Sequence, residues 1–499
     1  MRHLSIDIET KSSVDIGKAG LYRYAQSDDF EILLFAYRYG NEEVRIIDLA
    51  QGEKIPEAIV EDLKNSSIMK HAYNAAFEWY CLNRAGYMTP LGQWKCTMVH
   101  GLYCGYTAGL DATGKAIGLP QDKRKLATGK ALIRYFCVPC KPTKSNGNRS
   151  WNLPKHAPEK WELFKEYCRQ DVVTESAILA RLDAFPVPDE EEKLWQMDIR
   201  MNAFGVKVDS ELIRGALQVN EQSTILLETE AKEITGLDNP NSSAQLLDWI
   251  HKHGVEMDNL QKATVTEKLA DDLPDNVRRA LEIRQQLGKT SIKKYVAMDV
   301  AKGNDDRVRG LTQYYGANRT GRWAGRLVQM QNLPRNYIKS LDYARKLVKA
   351  QNYDGIKLLY GNVPDTLSQL IRTAFIPSEG NKFVVADFSA IEARVIAWLA
   401  GETWVNEVFA THGKIYEAKY ILLQVSDIPK TSLVLERQFG VTEYSVQDEH
   451  TLRIYDTSLD MAAVNKALVV QDIAVISSQL CNDTLEDYFK KITGGEGIA

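Results

Sequence analysis

The sequence predicts an α/β fold in its N-terminal part, followed by a largely helical region, a second α/β region and an α+β tail. Strand-like apolar or alternating runs occupy residues 3–10, 31–38 and 44–48. Helical patterns are found at residues 56–63, 76–85 and 159–182. Because strands and helices are mixed over about 185 residues, we expect this part of the chain to form one α/β domain.

The rest of the chain divides at changes of pattern. Residues 184–192 contain two prolines and an acidic run, which predicts a linker. Residues 192–302 are almost wholly helical in pattern, and Asn239–Ser243 supplies a turn and an N-cap. In the tail, two helical patterns follow short strand-like runs at 432–435, 444–446 and 451–455. The predicted regions are 1–185, 186–302, 303–417 and 418–499.

The composition is that of a folded protein without a membrane segment. Of 499 residues, 44% are apolar and 26% charged, which excludes disorder over the whole chain. Apolar runs stay well short of a spanning helix, and charged residues interrupt the start, where a signal peptide would lie. Seven unevenly spaced cysteines do not form a disulfide framework. We therefore expect a cytoplasmic protein with no membrane partner.

The net charge of −4 conceals a basic stretch. Residues 311–349 hold eight basic side chains and one acidic side chain, Asp342. Such a stretch is suited to neutralising the phosphates of a nucleic acid. A solvated helix face is the plainer interpretation, and on charge alone it is the favoured one.

Acidic side chains recur at three places in the N-terminal region. Asp7 and Glu9 lie two residues apart on a predicted strand, so both project from one face. Glu78 opens a helix after Asn74, and Tyr167 and Asp171 lie one helical turn apart. Oxygen ligands of this kind suit Mg²⁺ or Mn²⁺, and a pair of such ions can promote phosphodiester hydrolysis.

These three motifs, D-x-E, N-x-x-F followed by an acid, and Y-x-x-x-D, resemble those of the DnaQ-like 3′–5′ exonucleases, which have an RNase H-like fold. The resemblance covers residues 1–185 and implies that Asp7, Glu9 and Asp171 bind metal and that Tyr167 orients the attacking water. The second motif usually ends in Asp, whereas this chain has Glu78. Because Glu is one methylene longer, we expect reduced or altered activity on single-stranded 3′ ends rather than none.

A second group of residues lies in the third region. Arg319 and Arg322 flank a Thr-Gly turn, and Gln331 and Asn332 follow shortly after. Arginines bind phosphates through two N–H groups, and amides can contact base edges. Further on, residues 382–387 predict a buried apolar strand that ends in an acid, Asp387. This acid is either a catalytic metal ligand or the N-cap of the following helix.

The motifs T-G-R, Q-N-L-P, R-T-A-F and A-D-F-S-A-I-E-A-R resemble the beginning of the palm of family A DNA polymerases, most closely the phage versions. The resemblance implies that Asp387 binds the catalytic metals and that Glu392 selects the nucleotide by excluding a ribose 2′-hydroxyl. It implies that Arg322 and Gln331 hold a primer-template duplex, in a DNA-binding group that also includes Asn74, Arg319, Asn332 and Arg372. The partners of such an enzyme are DNA and deoxynucleoside triphosphates.

The resemblance to polymerases stops near Ala418, before the family's fingers helix and its second metal-binding Asp. The following residues, up to Glu496, instead resemble the C-terminal tail of ATP-binding cassette subunits of peptide-antibiotic exporters. The sequence therefore predicts a partial palm fused to an unrelated tail. We expect the exonuclease to be the surviving activity and templated extension to be weak or absent. A catalytically inactive DNA-binding remnant and an exonuclease of RNA turnover are the alternatives.

Overall fold

The computed structural model describes residues 2–317, 319–386, 390–403, 419–456 and 458–482. Contacts within the chain define two compact units, Met1–Phe383 and Val384–Ala499. The four regions predicted from the sequence are a finer division than these two units. They remain a prediction.

A five-stranded mixed sheet organises the beginning of the first unit. Its strands are β1 (Arg2–Lys11), β2 (Glu31–Tyr39), β3 (Arg45–Asp48), β4 (Ile68–Ala72) and β5 (Trp94–Cys96). They lie in the order β3-β2-β1-β4-β5, so β1 is central. It runs antiparallel to β2 and parallel to β4. The strands predicted near residues 3, 31 and 44 are confirmed, whereas β4 and β5 are too short to give a clear alternating pattern.

Helices cover both faces of this sheet. They are α1 (Ile16–Ala25), α2 (Glu57–Lys64), α3 (Ala76–Arg84), α4 (Thr97–Tyr103), α5 (Leu110–Ala116), α6 (Gly129–Phe136) and α7 (Pro158–Leu182). Phe35 and Tyr37 of β2 belong to the hydrophobic cluster on one face. Leu34 and Ala36, which alternate with them, pack on the other face with Trp161 of α7. The sheet is therefore buried on both faces, and the side chains of β1, its central strand, pack against residues on each face.

The remainder of the first unit is mainly helical. Its helices are α8 (Asp189–Phe204), α9 (Ser210–Thr235), α10 (Ser243–Lys252), α11 (Lys262–Lys268), α12 (Asp275–Leu287), α13 (Lys293–Ala301), α14 (Leu341–Lys349), α15 (Tyr353–Tyr360) and α16 (Val363–Leu370). Short strands pair as β6 (Val206–Lys207) with β7 (Arg307–Val308) and β8 (Thr312–Ala317) with β9 (Arg322–Gly325). The predicted linker is shorter than expected, because its acidic run forms the first turn of α8, where carboxylates interact favourably with the helix dipole. The predicted boundary between the second and third regions, at position 302, is crossed by one hydrophobic cluster, which includes Val219 and Leu367.

The second unit contains α17 (Ile391–Leu399), β10 (Lys419–Val425), α18 (Ile428–Phe439), β11 (Tyr444–Val446), β12 (Thr451–Ile454), α19 (Met461–Val470) and β13 (Val475–Asn482). From β10 onward, the sheet order β11-β12-β10-β13 gives the βαββαβ arrangement of a ferredoxin-like layer. Leu423 and Leu452 of the sheet pack with Leu435 and Leu468 of the helices. The predicted α+β tail is thus present in the described residues.

One predicted strand of the tail is wrong. Residues 432–435 lie inside α18, whose first turn is capped by Asp427: its carboxylate accepts a hydrogen bond from the Lys430 N–H at 3.0 Å. Ile428, Thr431, Val434 and Leu435 are buried, a spacing of three and four residues that is helical. The short apolar run alone does not distinguish a buried strand from a buried helix.

The predicted strand at residues 382–387 is also wrong. Residues 381–386 are in no strand, and the side chains of Val384 and Val385 are 83% and 91% exposed. Asp387 lies outside the described residues. An apolar strand is stable only when neighbouring strands pair with it and cover it. Among the described residues none pairs with this segment.

The seven cysteines are free thiols. Within the described ranges, no helix is both long enough and apolar enough to cross a bilayer.

Candidate functional site

The acidic site is built on the central strand of the first sheet. Leu4, Ile6 and Ile8 of β1 join the hydrophobic cluster on one face. Because side chains alternate along a strand, Asp7 and Glu9 project from the opposite face, against which α7 packs. The pairing of β1 with β2 shifts register between Glu9 and Thr10, directly after the second acid.

Helix α7 contributes the second part of the site. Tyr167, Asp171 and Glu175 follow one another at four-residue intervals and are all buried, so they lie along one face of the helix. The ring of Tyr167 packs against the start of α6: a Cβ added to Gly129 would lie 2.1 Å from its Cε2 atom. Only glycine at position 129 leaves room for the tyrosine ring in this position.

The two carboxylates of β1 lie against α7, and the charge of Asp171 on that helix acts on both of them. One ligand atom from each of Asp7, Glu9 and Cys168 lies within 4.8 Å of the others. The Cys168 thiol donates a hydrogen bond to Oδ2 of Asp7 at 3.4 Å, and burial raises the pKa of this thiol well above its usual value. Cys168 is therefore a neutral donor that orients the carboxyl of Asp7.

Glu78 reaches the same site from the first turn of α3. It is 4% exposed, and its Oε2 atom has no hydrogen-bond partner among the described residues. Burial raises the pKa of Glu78 well above its usual value, and the charges of Asp7 and Glu9 raise it further. Asn74 precedes α3 with a φ of 72° and is exposed, so its side chain is open to solvent beside the site rather than inside it.

The electrostatics of the cluster favour a bound cation. Burial, followed by the charge of Asp171, raises the pKa of Asp7 to about 8. Burial raises the pKa of Glu9 well above its usual value, and Asp7 and Asp171 add to the shift. Burial also raises the pKa of Asp171, against the opposing effect of Lys125. Carboxyl groups this close cannot all ionise unless positive charge lies between them.

The donor set fits Mg²⁺ or Mn²⁺. The polar atoms of the cluster are mainly carboxylate oxygens, which hard divalent ions prefer. Two of these oxygens, Glu78 Oε2 and Asp171 Oδ1, are buried without a partner among the described residues. Buried polar atoms are rarely left unsatisfied, so both are available as ligands of an ion.

Sequence reasoning missed two charged residues of this site. Glu175 accepts a hydrogen bond from the hydroxyl of Thr97 and lies one helical turn beyond Asp171. Its spacing from Asp171 was a usable signal. Lys125 forms an ion pair with Asp171, and its Nζ lies 4.5 Å from the centre of the Tyr167 ring. Lys125 lies in a loop, where no periodic pattern indicates its partners.

The predicted DNA-binding arginines surround the β8–β9 hairpin. Arg319 lies in its turn and Arg322 begins β9, and both are exposed. The hairpin is fixed by the buried Asp198 of α8, which accepts hydrogen bonds from the Tyr314 N–H and from Trp323 Nε1, both at 2.9 Å. One carboxylate therefore holds both strands, so the turn that carries the arginines has a rigid base.

The other predicted DNA contacts lie next to this hairpin. The side chain of Gln331 lies over Gly325 of β9, where an added Cβ would be 2.2 Å from its Oε1 atom. Asn332 is exposed beside it, and Arg372 donates a hydrogen bond to the carbonyl of Leu333 at 3.2 Å. Gln331 thus contacts the end of β9 away from the turn that carries Arg319 and Arg322, and Arg372 contacts the segment that follows. Asn74 instead lies beside the carboxylate site.

The basic stretch of residues 311–349 is not one continuous DNA-facing surface. Arg345 and Lys349 of α14 both donate to Oδ2 of Asp209 at 2.7 Å. Asp209 also caps α9 by accepting a hydrogen bond from the Leu212 N–H at 3.0 Å. These two basic side chains therefore hold α14 against the start of α9.

The remaining predicted residues lie in the second unit. Glu392 is exposed in the first turn of α17. Asp387, its predicted catalytic neighbour, lies outside the described residues. The predicted nucleotide site therefore rests on sequence motifs alone.

A buried carboxylate cluster and an arginine-bearing hairpin are features of metal-dependent enzymes that act on nucleic acids. The sequence pattern described as "DNA polymerase family A" matches residues 212–431. The "DNA polymerase" of Bacillus phage SP02 is 54% identical over 434 residues, which are 87% of this chain and 66% of the relative. Over its matched length, this chain belongs to DNA polymerase family A, in its phage form. It spans about two thirds of that phage relative.

Shorter stretches resemble transporter subunits. The bacitracin transport ATP-binding protein BcrA of Bacillus licheniformis is 32% identical over 94 residues, or 19% of this chain and 31% of BcrA. An uncharacterized ATP-binding protein of an ABC transporter, YcbN of Bacillus subtilis, is 33% identical over 81 residues, 16% of this chain and 26% of YcbN. The family match ends at residue 431, inside α18 and beyond the predicted boundary at 417.

Among solved structures, the polymerase domain of Pol1 from M. smegmatis, in complex with DNA primer-template and dNTP, aligns with 94% of this chain and 67% of that chain. The sequence identity is 15% and the TM-score is 0.46, which is too low to establish a shared fold.

Proposed function

We propose that the carboxylate cluster is a metal-dependent 3′–5′ exonuclease site acting on single-stranded DNA ends. The observation that carries the proposal is the convergence of Asp7 and Glu9 from β1, Glu78 from α3 and Tyr167 and Asp171 from α7. These residues come from three separate parts of the chain, and each belongs to one of the three motifs in the sequence.

Each residue has a chemical role in this proposal. Asp7, Glu9 and Asp171 hold Mg²⁺ or Mn²⁺, and Glu78 contributes directly or through water. Such ions activate water and stabilise the leaving 3′ oxygen. Tyr167 is buried against Gly129 and next to Asp171, so its hydroxyl is fixed in place to orient the attacking water. Asn74, exposed beside α3, contacts the DNA strand.

We propose that the rest of the chain derives from a phage replicative DNA polymerase and binds primer-template DNA through the β8–β9 hairpin. Templated extension is weak or absent in this proposal. Two observations support it: the segment before Asp387 lacks strand partners among the described residues, and the unit that follows contains a ferredoxin-like layer with its own core. Deoxynucleoside triphosphates are substrates only if the Asp387 site is functional.

We infer that the tail was joined to the polymerase by a deletion, a frameshift or an assembly error, because stretches of this chain resemble transporter ATP-binding proteins. Amplifying the junction from genomic DNA tests this origin. Recovery of the present junction supports a fusion in vivo. A complete fingers sequence after Ala418 contradicts it.

One assay tests the activities. The purified chain is incubated with a labelled primer-template and with the labelled single strand, in Mg²⁺ or Mn²⁺, with and without deoxynucleoside triphosphates. We expect shortening of the single strand that EDTA abolishes, and little or no extension. Salt-dependent DNA binding without cleavage contradicts the exonuclease and favours the inactive DNA-binding alternative. Preferential cleavage of RNA favours the RNA-turnover alternative.

A further inference from the structure

We propose that Lys125 is a substrate-binding residue of the carboxylate site, whose ammonium group binds the phosphate next to the scissile bond once metal ions occupy the carboxylates. This inference rests on the proposed exonuclease function and adds a residue that none of the three motifs contains. Its basis is the ion pair of Lys125 with Asp171 and its position above the Tyr167 ring.

The loop that carries Lys125 is held in place by α7 itself. Gln170, the residue before Asp171, donates from Nε2 to the carbonyl of Asp122 at 2.8 Å and to the carbonyl of Arg124 at 3.1 Å. These two carbonyls belong to the residues three positions and one position before Lys125. A few residues later, Gly129 packs against Tyr167. The loop therefore crosses directly over the Tyr167–Asp171 turn, so Lys125 reaches the cluster from a fixed backbone.

Lys125 faces both the cluster and solvent. Its side chain is 27% exposed, compared with 6% for that of Asp171. It lines an open cleft of about 780 Å³, to which Asn74 also contributes. Lys125 therefore borders this cleft on one side and pairs with Asp171 of the cluster on the other.

The charges of the site give Lys125 a role both without bound metal and with it. Without metal, Lys125 is a positive group that acts on Asp7, Glu9 and Asp171 together. If divalent ions were bound at these carboxylates, they would supply this compensation, and Asp171 would no longer need the Lys125 ammonium as its partner. A bound phosphodiester brings new negative charge within reach of the flexible lysine chain, and lysine binds phosphate as a compact point charge. The ammonium group then moves from Asp171 to a phosphate oxygen.

The test uses the full chain and three variants. Lys125→Met keeps most of the side-chain volume and removes the charge, and Lys125→Arg keeps the charge. Lys123→Met is the matched control, since Lys123 is exposed in the same loop. Three quantities are measured: kcat and KM on a single-stranded oligonucleotide, Mn²⁺ affinity by calorimetry, and affinity for thymidine 5′-monophosphate with Mn²⁺ present.

For Lys125→Met we expect kcat to fall about 100-fold, as when one electrostatic contact to the reacting group is removed. Mn²⁺ affinity stays equal or rises, because a competing cation has been removed from Asp171. Nucleotide affinity falls several-fold, Lys125→Arg restores part of kcat, and Lys123→Met behaves as the wild type.

Two results overturn the inference. One is a kcat of Lys125→Met within threefold of the wild type. The other is a loss of activity with a parallel loss of Mn²⁺ affinity, which indicates a purely structural lysine. Failure of the proposed function looks different, because the wild type itself is then inactive. In that case the nucleotide measurement still decides: weaker nucleotide binding by Lys125→Met supports the inference, and unchanged binding contradicts it.

Discussion

Two segments of this chain are strand-like in sequence and carry an acid predicted to bind metal, but they have different structures. The alternating segment that contains Asp7 and Glu9 forms β1, the central strand of a sheet, with Leu4 fully buried. Residues 382–386 precede Asp387 and form no strand, with Val385 91% exposed. The first acid site is assembled, whereas the described part of the second lacks a supporting sheet.

The difference shows what an acidic motif needs in order to become a site. Asp7 is held by a strand that is paired on both sides and by a helix whose Cys168 thiol donates to its carboxyl. A palm strand needs comparable neighbours, and among the described residues it has none. Motif quality alone therefore does not decide whether an acidic motif is assembled into a site.

The largest expected effect is the loss of exonuclease activity in Asp7→Asn. We expect kcat to fall by roughly 1000-fold, since a charge aimed at the reacting centre is removed. Stability should be unchanged or higher, because burial raises the pKa of Asp7 to about 8 and asparagine resembles the protonated carboxyl. The measurements are nuclease kinetics in Mg²⁺ and thermal unfolding without metal.

The control for this variant is Asp183→Asn, at the exposed end of α7. It should leave both kinetics and unfolding unchanged. An Asp7→Asn protein that digests DNA at the wild-type rate would show that the cluster is not the catalytic site.

The next effect compares β2, the strand paired with β1, with the exposed segment before Asp387. Leu34→Ala removes a fully buried side chain of β2, and we expect it to cost about 2–5 kcal/mol of unfolding free energy. Val385→Ala alters a side chain that is 91% exposed, and we expect a change within about 0.5 kcal/mol. Urea unfolding measures both. A cost for Val385→Ala comparable to that for Leu34→Ala would mean that this segment is covered in solution and would remove the contrast.

The carboxylate site was predictable to a large extent, because its residues lie on long elements with clear periodicity. Alternation in β1 placed Asp7 and Glu9 on one face, and helical spacing placed Tyr167 and Asp171 together. Lys125 and Cys168 were missed for a physical reason: their roles depend on which loop and which strand pack against α7, and a single element's pattern carries no such information.

The palm segment was predicted wrongly for the opposite reason. The apolar run at residues 382–386 has the local preference of a strand, but strand formation depends on partners elsewhere in the chain. Residues 432–435 were misassigned because a short apolar run fits both a strand and a helix, and the Asp427 cap decides for the helix. The local sequence pattern therefore predicts a strand or helix most reliably when the elements that pack against it are also present.

A smaller effect concerns Asp209, which joins α14 to the start of α9. Asp209→Asn should destabilise the chain by about 2 kcal/mol, since the partly buried side chains of Arg345 and Lys349 lose the buried carboxylate that they share. The matched control is Asp248→Asn, whose partner Lys252 lies on an exposed helix face, and we expect less than about 0.5 kcal/mol there. Equal costs for the two variants would mean that Asp209 does not hold these helices together.

The effect of Asp209 should depend on pH. Burial alone raises the pKa of this carboxyl, but hydrogen bonds from Lys349 and the Leu212 N–H, with the charges of Lys349 and Arg345, outweigh burial and lower it. A lowered pKa means that the stabilisation is present above the unfolded value of about 3.9 and is lost as pH falls further. The difference in unfolding free energy between the wild type and Asp209→Asn should therefore be constant near neutral pH and shrink below about pH 4. A difference that grows on acidification would contradict this assignment.

The smallest expected effect tests whether the hairpin binds DNA although the palm segment is unsupported. The double variant Arg319→Ala, Arg322→Ala removes two exposed guanidinium groups and leaves the Asp198 contacts that fix the hairpin. If each arginine contacts one phosphate, the slope of log affinity for duplex DNA against log salt should become shallower by about 2. The control is Lys18→Ala, Lys64→Ala, which removes two exposed charges from α1 and α2. An equal change of slope in both variants would mean that binding follows overall charge, and the hairpin would then not be a defined interface.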